Sequence, residues 1–66
     1  MEARRVELIA RLTTLSENAR QHPAYKRSLT LLNETFRHGK LAQRLAVLEA
    51  ATWLIDLLEK LTSLTG

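Results

Sequence analysis

Sixty-six residues with a formal charge of +3 hold one domain at most, in the size range where a single core rarely supplies enough stability unaided. Cysteine is absent, which excludes a disulfide framework, a thiol nucleophile and a thiolate zinc site. Two glycines, one proline and 5% aromatic residues amid abundant Leu, Ala, Glu and Arg predict a single all-α domain over residues 1–66, with association to another chain as the remaining source of stability.

The first helix is expected over residues 2–20. Leu8, Leu12, Leu15 and Ala19 recur at spacings of four, three and four, one face of a helix, and Ile9 broadens that stripe. Arg4, Glu7 and Arg11 stand about one turn apart and are placed to pair along the wet side. Thr13, Thr14 and Ser16 lower helical propensity, and Thr14 with Glu17 has the form of a capping box, so a kink is compatible with this segment.

His22-Pro23 ends that helix, because proline lacks an amide donor and disfavours helical geometry in the residue before it. Pro23 then opens a second helix over residues 23–37, with Tyr25, Leu29, Leu32 and Phe36 as its apolar stripe. Arg37 and His38 suit the negative end of the helix dipole, and Gly39 is expected to take a left-handed cap. The short break before the next helix predicts an antiparallel hairpin.

The third helix, over residues 40–62, is the longest and the most apolar. Leu41, Leu45, Leu48 and Ile55 form one stripe, and Val47, Ala51, Leu54, Leu58 and Leu61 another, with Trp53, Leu57 and Leu64 widening the total. A helix needs an apolar arc of only about 100° to face one core, so two arcs predict packing on two sides. Ala42, Ala46, Ala50 and Ala51 would admit a neighbouring helix closely, or simply favour helix formation. The expected architecture is an antiparallel three-helix arrangement completed as a homodimeric bundle, with Trp53, Leu54, Leu57, Leu58 and Leu61 at the dimer or partner interface.

Charge divides along the chain. Residues 1–44 carry nine basic against four acidic side chains, whereas residues 45–66 set Lys60 against Glu49, Asp56 and Glu59. Arg20, Lys26, Arg27, Arg37, Lys40 and Arg44 are the candidate contacts for an anion or nucleic-acid phosphates. A helix-turn-helix around Gly39, with Gln43 and Arg44 reading bases, fits poorly because the would-be recognition helix is too long and too apolar after Leu45. Membrane-surface binding is disfavoured, since the most apolar helix half is the acidic one.

Catalytic ingredients are sparse. Ser16, Ser28, Ser63, His22, His38 and Asp56 lack any positioning motif, and no glycine-rich phosphate loop exists. Glu34 and His38, four residues apart, supply two potential metal ligands and read more simply as a helix-end ion pair. A non-enzymatic chain without cofactor, metal or small-molecule substrate is expected. The longest stretch without charge is six residues, as in 50–55, against the roughly 20 that cross a bilayer. Charged residues at Glu2, Arg4, Arg5, Glu7 and Arg11 leave no secretory signal, so a cytoplasmic location is the expectation.

In layout, the small size, the helical hairpin and the turn Arg37-His38-Gly39 resemble the small helical subunits that chaperone needle proteins in type III secretion. That likeness implies an assembly-chaperone role and assigns no residue a function. Together these readings predict a helical protein-interaction module, an adaptor, small regulator or assembly chaperone that binds itself or a helical partner through apolar faces. The alternative is a small basic protein that binds nucleic acid around residues 20–44.

Overall fold

The computed structural model describes residues 1–65, all-helical and without strands among them. Four helices follow in order: α1 (Glu2–Leu12), α2 (Glu17–Gln21), α3 and α4. Helix α3 joins Pro23–Thr30, a π-helical turn Leu31–Thr35 and a last turn Phe36–His38, and α4 runs from Leu41–Thr65 without interruption. At 1.5 Å per residue α4 spans about 37 Å and sets the long dimension of a 37 × 20 × 15 Å molecule.

The helix expected over residues 2–20 is broken at residues 13–16, and local hydrogen bonds explain why. The hydroxyls of Thr13 and Thr14 donate to the carbonyls of Ala10 and Arg11 at 2.6 and 2.9 Å, so side chains close the end of α1. Ser16, rather than Thr14, caps α2, accepting from the Ala19 amide at 3.3 Å. Its own amide donates to the Thr62 hydroxyl at 3.1 Å, which ties the bend to α4. Across the break Leu8, Leu12, Leu15 and Ala19 still face inward together, each at most 3% exposed.

Pro23 starts α3 at its first position, and the Ala24 amide donates to Nδ1 of His22 at 3.0 Å. Within α3 the buried stripe is Ala24, Ser28, Leu32 and Phe36, with Tyr25 and Leu29 half-buried at its edge. Ser28 is fully buried yet satisfied, its hydroxyl donating to the Ala24 carbonyl at 2.8 Å. In the π-helical turn the Phe36 amide donates to the Leu31 carbonyl five residues back, which brings Leu32 and Phe36 to the core in succession.

Gly39 departs from expectation. Its φ of −90° and ψ of 156° are extended, so no left-handed cap forms. Space is the constraint instead: a Cβ there would lie 3.0 Å from Cβ of Gln43 and 3.2 Å from the Thr35 carbonyl oxygen.

α1, α2 and α3 all pack on α4. Arg11 at the end of α1 reaches Asp56 and Glu59, while Arg5 near its start shares the Phe36 ring with Arg44, so α1 runs parallel to α4 and α3 returns antiparallel between the same two ends. Charges thus mate across the fold. Arg11 donates to Asp56 at 2.7 Å and to Glu59 at 3.0 Å, instead of pairing with Glu7 on its own helix; Glu7 pairs with Arg4.

Of the two apolar stripes expected on the long helix, Leu48 and Ile55 of the first join the second on one broad inner face, whereas Leu41 and Leu45 stay exposed at 64% and 51%. Val47, Leu48, Ala51, Ile55 and Leu58 are buried together in the chain's own core, and Leu54 and Leu61 pack at its edge. Leu58 is fully enclosed and is therefore unavailable to a partner, which removes it from the expected interface. α1, α2 and α3 all pack on this face, so the chain's own helices cover the second stripe and the Leu48–Ile55 part of the first.

Candidate interaction face

With the inner face of α4 complete, its opposite side carries a second apolar pattern. Gln43, Ala46, Ala50, Trp53, Leu57, Lys60 and Leu64 alternate at intervals of three and four, the 3.5-residue period of a helix-pairing seam. All seven are exposed, with Trp53 68% and Leu64 83% accessible. Large apolar side chains left in water along a regular seam mark a surface for association more specifically than scattered ones do. Of the residues expected at an interface, Trp53 and Leu57 stand on this seam, Leu54 and Leu61 border it on the core side, and Leu58 lies beneath.

Two open grooves flank the seam. At the amino-terminal end of α4, one of about 540 Å³ runs between α3 and α4 and is lined by Glu34, Thr35, His38, Gly39, Gln43, Ala46 and Val47. No salt bridge joins Glu34 to His38 among the described residues, so the expected helix-end ion pair does not form. A second groove of about 510 Å³, between α1 and α4, is lined by Arg4, Leu45, Leu48, Glu49, Thr52, Trp53 and Asp56. Trp53 forms part of its wall, while Leu41 and Leu45 are exposed on the same side of the helix.

The six basic candidates do not form one patch. α3 spans 16 residues, about 24 Å, and separates Arg20, Lys26 and Arg27 near its start from Arg37, Lys40 and Arg44 near its end. Two of them are engaged with backbone: Arg20 donates to the Leu15 carbonyl at 3.1 Å, and Arg44 to the carbonyls of Phe36 and Gly39 at 3.1 and 3.0 Å. Arg44 thereby joins the Gly39 amide on the Phe36 carbonyl and pairs the Gly39 carbonyl in the turn that follows α3.

Arg5, which sequence reading did not single out, joins Arg37, Arg44 and Asn33 around a polar hollow of about 210 Å³ that also includes Glu2. Its spacing of three before Leu8 and seven before Leu12 was the available signal. Arg5 and Arg44 flank the Phe36 ring at 6.0 and 5.3 Å from its centroid. Hydrogen bonding from Arg5 lowers the Glu2 carboxyl below its ordinary value, and Glu2 raises the Arg5 guanidinium in return. The Arg11 guanidinium is raised further, by its hydrogen bonds to Glu59 and then Asp56. The Glu2–Arg5 pair lies within α1, whereas the Arg11 pairs tie the end of α1 to α4.

Among the described residues no group of three or more His, Asp or Glu side chains stands close enough to hold a metal ion. No helix among them is long and apolar enough to cross a membrane. No family model, curated protein or solved structure matches the chain.

Proposed function

We propose that this chain is a non-catalytic helical protein-interaction module whose outer α4 face receives another helix, in the manner of an adaptor, small regulator or assembly chaperone. The observation that carries the reading is Trp53, 68% exposed in the middle of a 3.5-residue seam on a helix whose opposite face is already buried. A large aromatic at the centre of a seam is the kind of residue on which binding energy concentrates. A helix in this position adds a layer to the bundle, and a homodimeric bundle is one form of that arrangement.

The test compares wild type with W53E/L57E as immobilised bait, with the tagged chain itself and soluble helical proteins of the source cell as prey. Capture by wild type that persists when salt rises from about 50 to about 200 mM, and is lost in W53E/L57E, is the expected result. Equal capture by both baits contradicts the reading. The phosphate-binding alternative draws on the hollow shared by Arg5, Arg37 and Arg44. It predicts the reverse: binding to nucleic acid that falls steeply over the same salt range and survives W53E/L57E.

A further inference from the structure

The outer seam of α4 is lopsided, and the lopsidedness limits what can cover it. Its amino-terminal half offers Ala46 and Ala50, its carboxy-terminal half Trp53, Leu57 and Leu64. Building on the reading above, we infer that the occupant is the α4 seam of a second copy of this chain, laid antiparallel so that Ala50 faces Trp53 and Ala46 faces Leu57 across a two-fold axis between residues 51 and 52.

Each small residue then receives a large one, and each layer occurs twice by symmetry. Gln43 faces Lys60, and the overlap runs over residues 41–62 of both helices, nearly the whole of α4. The helix dipoles oppose one another favourably in this orientation.

What lies beside the seam agrees with that register. Lys60 of the second copy arrives over Gln43, next to the groove in which Glu34 is exposed and has no salt-bridge partner among the described residues. Leu64 of the second copy extends past Gln43 to the level of Gly39, where the same groove of about 540 Å³ is open. One register thus supplies a cation for an unpaired carboxylate and an apolar side chain for an empty groove.

The competing arrangements lack this match. In a parallel pair Trp53 meets Trp53, Lys60 meets Lys60, and the alanine layers face each other. Like charges oppose and large and small layers cannot be spaced evenly. An antiparallel pair shifted by one heptad sets Trp53 against Leu57 and carries Lys60 away from Glu34.

Because the chain has no cysteine, disulfide trapping can read the register directly. Ala46 and Leu57 both lie on the exposed face, so A46C and L57C leave the buried core unaltered, and circular dichroism checks their helicity. Under mild oxidation the mixture of A46C with L57C is expected to form a covalent dimer quickly. Either variant alone should cross-link at least tenfold more slowly, since like positions sit about 16 Å apart along the axis, beyond disulfide reach.

Cross-linking of A46C with itself identifies a parallel pair, and preferential trapping of A46C with L64C identifies the shifted one; either overturns the register while leaving helix binding by this face intact. Failure of every combination, with a monomeric mass, overturns the second copy as occupant. Helix binding by the face then stands or falls on the W53E/L57E capture experiment alone.

Discussion

Replacing Leu58 with alanine separates the core of the monomer from its outer seam. Leu58 is fully enclosed by the chain's own helices, whereas Leu57, its neighbour, is 37% exposed on the far side of α4. Truncating an enclosed leucine removes its transfer free energy and leaves a cavity, together about 2–5 kcal/mol. In a domain of this size each kcal/mol moves the melting temperature by roughly 4–8 °C, so L58A should melt at least about 8 °C below its parent. A core this small supplies only about 3–5 kcal/mol in all, and the upper end of the range unfolds the chain. The comparison is made by thermal circular dichroism in the W53E/L57E background, where association is removed. There the full loss should persist and be independent of concentration. An L58A variant that melts within about 2 °C of that parent, or whose loss appears only when the outer face is intact, refutes the assignment of Leu58 to the intrachain core.

Arg11→Gln removes the bridge from α1 to Asp56 and Glu59; the side chain is 27% exposed, so the cost is about 1 kcal/mol, read as a fall of a few degrees in melting temperature that shrinks in high salt. Glu2 has a lowered pKa because Arg5 holds its charged form, so its contribution is present above the ordinary value of 4.5 and is lost as pH falls through the depressed value. E2Q should therefore show a shallower decline in melting temperature than wild type below about pH 4.5, and parallel acid profiles would remove Glu2 from the account. Gly39→Ala gains from a stiffer unfolded chain but meets the Thr35 carbonyl at 3.2 Å and Cβ of Gln43 at 3.0 Å; backbone cannot yield as a flexible side chain does, so net destabilisation of about 1 kcal/mol is expected in denaturant titration. A stabilised G39A would show that α3 and α4 separate easily at this turn.

Much of the fold was legible because its signals are local. The inward stripe of Leu8, Leu12, Leu15 and Ala19 follows from spacing alone, as does the start of α3 at Pro23. Helix α4 was harder. Composition showed that it has too much apolar surface for one narrow arc, but periodicity cannot say which arcs merge when three helices pack against the same side. Leu48 and Ile55 therefore joined Val47, Ala51 and Leu58 in one core, and the free face proved to be the one holding Ala46, Ala50, Trp53, Leu57 and Leu64. Alanines and a lysine within that seam obscured its 3.5-residue period. The burial of Ser28 was also unreadable, because a polar residue enters the core only when its partner, here the Ala24 carbonyl, is already placed. Basic residues close in sequence suggested one patch, yet a helix about 24 Å long separates them into two groups.

The solution mass of the intact chain, measured by light scattering over a wide dilution series beside W53E/L57E, tests most directly the central claim that a second copy of the chain covers the outer α4 face. A wild-type mass of twice the 7.5 kDa chain that falls toward 7.5 kDa on dilution, with W53E/L57E at 7.5 kDa throughout and equally helical, is the predicted result. A wild type that stays at 7.5 kDa at every concentration, or a W53E/L57E variant that remains dimeric, contradicts it.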